Sequence, residues 1–157
     1  MKKLVILFLL LSLSSYSFSQ NGEAPLRKGS KQINFGLGLD SSGLPLYGQM
    51  DFAVSNDITV SPMVGITIGG EDNFMSFAGY GNYHFNRLLN IPQNWDFYAG
   101  VNLGFRFYLS DNTGTSPLIF GMQTGGRYYW NEHWGVQLEL GWGVSRYVGR
   151  FGLSYKL

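Results

Sequence analysis

Charged side chains are scarce in this sequence, and most of those inside its regular stretches fall on the parity opposite the apolar residues. Asp, Glu, Lys and Arg make up 13% of the 157 residues, about half the ~25% usual for a soluble domain. Arg127, Glu139 and Arg150 stand in three consecutive stretches where apolar residues occupy every second position, and each charge falls on the other parity. If the first two stretches pair about a turn at Glu132, Glu139 lies opposite Gly125, with Arg127 one diagonal step away. Residues paired across strands share a face, so on the last stretch the partner of Glu139 is Arg150 or Gly152. We therefore expect Glu139 to be clamped between Arg127 and Arg150, with Asp51, Asp96, Arg106 and Lys156 extending the network. Such a network either holds a structure together or lines a path for ions, and the structural role is the expected one.

Other chemistry is harder to assemble from these residues. A serine, a histidine and a carboxylate would need to come within hydrogen-bond reach for nucleophilic catalysis. His133 falls in a turn and His84 at a strand end, both remote from Ser41, Ser42, Asp72, Ser110 and Asp111. No Gly-x-Ser-x-Gly elbow occurs, so no catalytic residue is assigned and an enzyme is not expected. The acidic tips Glu71-Asp72-Asn73 and Asp111-Asn112 lack the calcium-loop pattern, and the glycines from Gly65 to Gly70 open no helix that could cradle a phosphate. We expect neither a metal nor a cofactor. The chain has no cysteine, which excludes disulfides, thiolate metal sites and a lipid-modified cysteine. A formal net charge of +1 without a dense basic cluster argues against a nucleic-acid partner.

The elements that must position these charges are strands. Lys2 and Lys3 precede an apolar run from Leu4 to Leu13 and then the small-residue pattern Ser17-Phe18-Ser19, the layout of a secretory signal peptide over residues 1–19. The run is about half the ~20 residues of a spanning helix. Residues 20–30 are polar and read as a mobile lead-in. From Lys31 to Leu157 the sequence alternates in eight stretches of about ten residues, the length of a tilted membrane strand. They begin near Lys31, Leu46, Ile58, Met75, Trp95, Leu118, Trp134 and Arg146. Pro62, which lacks a ladder donor, predicts a bulge or local gap in the third. Residues 31–157 are thus expected to form an all-β domain: a closed eight-stranded antiparallel up-and-down transmembrane β-barrel.

Alternation alone leaves open which face points inward, and a soluble lipocalin-like binder would turn the apolar face in. Composition favours the reverse. The polar face is rich in glycine, serine and threonine with few charges, whereas a water-facing exterior carries many lysines and glutamates. The apolar face offers roughly five large side chains per strand, more than an eight-stranded interior can hold. Phe85, Trp95, Trp130 and Trp134 flank connections at one end and, with Tyr155, suggest an interfacial aromatic girdle; Trp142 and Phe107 are candidates for the opposite one. With both termini periplasmic, the turns at Ser55, Asn86 and Asn131 are periplasmic, and those at Ser41, Glu71, Ser110 and Ser145 extracellular.

In Tyr83-His84-Phe85, Tyr98 to Gly104, Gly126-Arg127-Tyr128-Tyr129 and Gly152 to Leu157, the sequence resembles the small outer-membrane β-barrel proteins of Gram-negative bacteria, the class of OmpX and the OmpA membrane domain. The resemblance implies Sec-dependent export to the outer membrane and insertion by the barrel-assembly machinery. It also implies a C-terminal assembly signal, here Phe151, Leu153, Tyr155 and Leu157, where the family usually ends in phenylalanine. Lipid and lipopolysaccharide are the expected surroundings and a monomer the expected state. The expected role is structural or surface-interacting, with a side-chain-filled lumen and no free diffusion. The alternative is a barrel that binds or transports a small ligand.

Overall fold

The computed structural model describes residues 22–39, 43–69, 73–109, 115–144 and 148–157. The signal peptide expected over residues 1–19 lies outside the described residues, as do Ser41, Glu71, Ser110 and Ser145. Eight strands, β1 Lys31–Leu39, β2 Leu44–Ala53, β3 Ile58–Ile68, β4 Phe74–His84, β5 Trp95–Tyr108, β6 Ile119–Tyr129, β7 Trp134–Trp142 and β8 Gly149–Lys156, pair in chain order into a closed barrel. Every pairing is antiparallel, and β8 returns to β1 with Gln32 opposite Lys156 and Phe35 opposite Leu153. The only helix among the described residues is α1, Asn86–Leu89, in the connection from β4 to β5.

Period-two patterning decides which way each strand faces. Along β1, Ile33 and Phe35 are exposed while Gln32 and Asn34 are buried; along β7, Val136, Leu138 and Leu140 are exposed while Gln137 and Glu139 are buried. The same inversion holds around the wall, so the outside is an apolar belt and the inside is polar. This excludes the arrangement of a soluble barrel with an apolar interior.

Pro62 leaves a gap and no bulge. The β2–β3 ladder runs from Gln49 opposite Met63 to Phe52 opposite Val60 without a change of register, and only the two pairs between are missing. On its other side Pro62 pairs with Gly79 in an uninterrupted ladder. A missing donor costs ladder bonds on one side, and the strands stay aligned because their neighbours fix them.

We call the end carrying the β2–β3, β4–β5 and β6–β7 turns the near end, and the other the far end. At the near end Asn131 Oδ1 accepts from His133 N at 2.9 Å and Trp134 N at 2.7 Å, which fixes the β6–β7 turn.

The segment before β1 differs from the mobile lead-in expected over residues 20–30. Its described part, residues 22–30, crosses the near mouth as a strap, with Ala24 and Leu26 buried. Gly22 lies so close to α1 that a Cβ there would stand 2.7 Å from Asn86 O. At its other end Lys28 N donates to Asn56 Oδ1 at 3.1 Å and Gly29 N to Ala53 O at 2.8 Å. Two apolar side chains in an otherwise polar stretch suffice to dock it, because the mouth offers them shelter from water.

Candidate functional site

The candidate site is the polar interior, whose inward rows supply every group that could do chemistry. Arg127 of β6 is 1% exposed and reaches across the lumen: its Nη2 is 2.8 Å from Asp51 Oδ2 on β2 and its Nη1 3.1 Å from Asp96 Oδ2 on β5. Its Nε donates to Gln137 Oε1 at 3.2 Å, and the guanidinium lies 4.5 Å over the Tyr98 ring. Asp51 also accepts from Gln49 Nε2 at 2.8 Å and Gln32 Nε2 at 3.2 Å. Gln32 in turn accepts from the Tyr129 hydroxyl at 2.5 Å. Lys156, half-buried near the mouth, lies 3.7 Å over the Tyr129 ring.

Glu139 and Arg150, opposite each other in the β7–β8 ladder, form a second centre. Arg150 Nε is 2.8 Å from Glu139 Oε1, and its Nη2 donates to Glu139 Oε2 at 2.9 Å and Gln49 Oε1 at 2.6 Å. The rings of Tyr47 and Tyr80 flank the guanidinium at 4.4 and 4.9 Å. Tyr98 donates to Glu139 Oε2 at 2.8 Å, which links this centre to the first. That link depends on Gly125, opposite both Tyr98 and Glu139. A Cβ at Gly125 would lie 2.6 Å from the Tyr98 hydroxyl, inside contact distance.

The single clamp expected around Glu139 is therefore divided in two. Arg150 holds Glu139, while Arg127 makes its ion pairs with Asp51 and Asp96. An arginine side chain is long enough to cross a narrow lumen, so a diagonal neighbour has no priority over a carboxylate on a facing strand. Arg106, expected in the same network, stands apart from it. At the far end its Nε donates to Val144 O at 2.5 Å and its Nη2 to Gly143 O, where the positive φ of Gly143 turns the backbone. Between the regions, Gln123 Nε2 donates to Asn82 Oδ1 at 2.7 Å and Asn102 Nδ2 to Gln123 Oε1 at 2.8 Å. Asn102 is further tied to Trp142 O at 3.1 Å and Val144 N at 3.2 Å.

A relay absent from the sequence reading joins the first centre. His84 Nδ1 lies 2.7 Å from Asp96 Oδ1, and His84 Nε2 lies 3.0 Å from Thr59 Oγ1. Parity could have found it, because His84 sits between the outward Tyr83 and Phe85 and so shares the inward face with Asp96 and Thr59. Hydroxyl, imidazole and carboxylate are in the order that activates a nucleophile, yet each of the three residues is 1% exposed. The oxygen of Thr59 points into packed protein and presents nothing to a substrate. Among the described residues, no group of three or more His, Asp or Glu side chains could hold a metal ion.

Outside, the girdle candidates lie toward strand ends, while Phe35 and Phe151 stand exposed within their strands. Phe85 packs on Tyr83 at 5.2 Å, Trp95 on Tyr128 at 4.8 Å and Trp134 on Tyr155 at 4.8 Å, all at the near end, where Trp130 also stands exposed. Trp142 and Phe107 are exposed toward the far end. Phe151 and Leu157 are exposed and Leu153 and Tyr155 half-buried, all on the outward parity of β8.

No family model and no curated protein matches the chain. Among solved structures, the N-terminal β-barrel domain of Pseudomonas aeruginosa OprF superposes with a TM-score of 0.65 at 14% identity, over 83% of this chain and 98% of that one. The fold is that of the small outer-membrane β-barrels. A de novo designed transmembrane β-barrel matches with a TM-score of 0.60 at 18% identity, over 83% of this chain and 98% of the design. Neisserial surface protein A matches with a TM-score of 0.52 at 13% identity, over 82% of this chain and 95% of its own. At such identities the small-barrel likeness is one of architecture, and the interior residues have to be read on their own terms.

Proposed function

We propose that this chain is an integral outer-membrane barrel whose interior is a structural polar core and not a route for solutes. One observation carries the reading: the polarity is inverted, with Asp51, Asp96, Arg127, Glu139 and Arg150 almost fully buried inside an exposed wall of leucine, valine and phenylalanine. In water that wall would be an aggregation surface, whereas in lipid it is the correct solvent-facing surface and the closed ladder leaves no unpaired strand edge. Ion pairs and amides occupy the space a pore would need, and the strap docks across one mouth. The partners are outer-membrane lipid and lipopolysaccharide, the chain is a monomer exported through the Sec pathway, and its role is structural or surface-interacting. The outward residues Phe151, Leu153, Tyr155 and Leu157 serve as the signal for the barrel-assembly machinery. No enzymatic activity is assigned, because the Thr59–His84–Asp96 relay is closed to substrate.

Fractionation of expressing cells tests the location. The protein should enter the outer-membrane fraction and run faster on gels unboiled than boiled; a soluble product with no mobility shift would overturn the membrane reading. Reconstitution in a planar bilayer tests the core, where steady open-channel conductance would overturn a filled lumen.

A further inference from the structure

The three turns at the near end are not alike. Ser55, Asn56 and Asp57 make one polar turn and Asn131, Glu132 and His133 another, while the third contains α1, whose Leu88 and Leu89 are 68% and 64% exposed. These leucines are held in place. Asn86 is buried with its Nδ2 donating to Trp95 O at 2.5 Å, Arg87 is paired with Asp57 of the neighbouring turn, and Asn90 closes the helix in the left-handed region at φ 51°.

Their direction follows from the helix hydrogen bond. Leu89 N donates to Phe85 O at 2.9 Å, which sets Leu89 one turn along from Phe85 on the same side. Phe85 packs edge-on against Tyr83, an outward residue of β4. Leu89 thus continues the outward aromatic row past the end of β4.

We propose that α1 is an interfacial foot, with Leu88 and Leu89 seated in lipid at the boundary between headgroups and acyl chains of the near-end leaflet. The proposal rests on the membrane reading and adds a specific lipid contact to it. Short apolar segments beside interfacial aromatics gain from this position because the acyl boundary receives the side chains while water and headgroups satisfy the turn's polar backbone. Continuity with the belt selects lipid over a protein partner as the occupant.

The chain has no cysteine, so single labels report cleanly. Leu89→Cys, Leu138→Cys and Glu132→Cys, each carrying a nitroxide, are reconstituted in phosphatidylethanolamine–phosphatidylglycerol vesicles and probed with oxygen and with a water-soluble nickel complex. The oxygen-to-nickel ratio at 89 should approach that at the belt position 138 and exceed that at the turn position 132 several-fold. A ratio at 89 equal to that at 132, with 138 still lipid-like, overturns the foot and leaves the barrel reading intact. A label at 89 shielded from both reagents indicates protein contact and also overturns it, whereas water-like ratios at both 89 and 138 overturn the membrane reading itself. Leu88→Cys, labelled in the same way, repeats the measurement one residue earlier.

Discussion

Two regions of the lumen are filled by different means. In one, Arg127 and Arg150 hold three carboxylates, and Tyr98 and Gln49 bridge the two centres. In the other, the amides of Asn82, Asn102 and Gln123 bond one another, and beyond them at the far end Arg106 donates to backbone carbonyls. Both regions satisfy buried polar groups, but they differ in what happens when one partner is lost. A charge left alone in a dry interior has no cheap alternative, whereas a lost amide leaves one or two dipoles to reorganise. The charged region should therefore be brittle and the amide region tolerant.

The sharpest way to break this contrast is Arg127→Met, which strips the cation from Asp51 and Asp96 together. It should lower unfolding stability by about 3 to 5 kcal/mol, read from urea denaturation in detergent micelles or vesicles; a loss no greater than that of a lipid-facing control such as Leu138→Ala would collapse the distinction. Glu139→Leu and Arg150→Met sharpen it further. Each alone should be severely destabilising, and the double substitution should cost clearly less than the sum, since the charge left behind in each single variant is gone. Additive losses would mean that the pair is not a unit. Gly125→Ala comes next, because the new methyl must displace the Tyr98 ring that bridges the centres. A loss of about 1 to 3 kcal/mol is expected, together with a changed near-ultraviolet signal from Tyr98. In the amide region, Asn102→Ala should cost about 1 to 3 kcal/mol, and at the far end the half-buried Arg106→Gln about 1 kcal/mol or less. An Arg106 effect as large as that of Arg127 would reverse the comparison.

Period two made the wall readable. Alternation gave eight strands to within a few residues, and parity placed Glu139 and Arg150 on one face, where the β7–β8 ladder sets them side by side. What alternation does not carry is distance across the lumen. Arg127 to Asp51, Tyr98 to Glu139 and Tyr129 to Gln32 join strands that are not neighbours, and nothing in linear spacing says how far a side chain reaches over a closed tube. The relay through His84 was legible in part, since parity turns it inward, but its order from Thr59 to Asp96 depends on three strands and their common tilt. The strap escaped for another reason: Ala24 and Leu26 have no periodicity, and only the shape of the mouth gives them somewhere to go.

The seam where β8 meets β1 sets a timetable for assembly. Until the last strand arrives, β1 presents a free ladder edge, the condition that exposes sheet proteins to mispairing and aggregation. The interior has the same problem, because Tyr129 must find Gln32 across 97 positions and Arg150 must find Gln49 across 101. Contacts of such long range form late, after the entropy of closing large loops has been met. Arg150 meets Glu139 and Arg127 meets Asp96 on adjacent strands, but the contacts that reach back to β1 and β2 form only as the wall closes, so that sealing the circumference and completing the interior network are a single event.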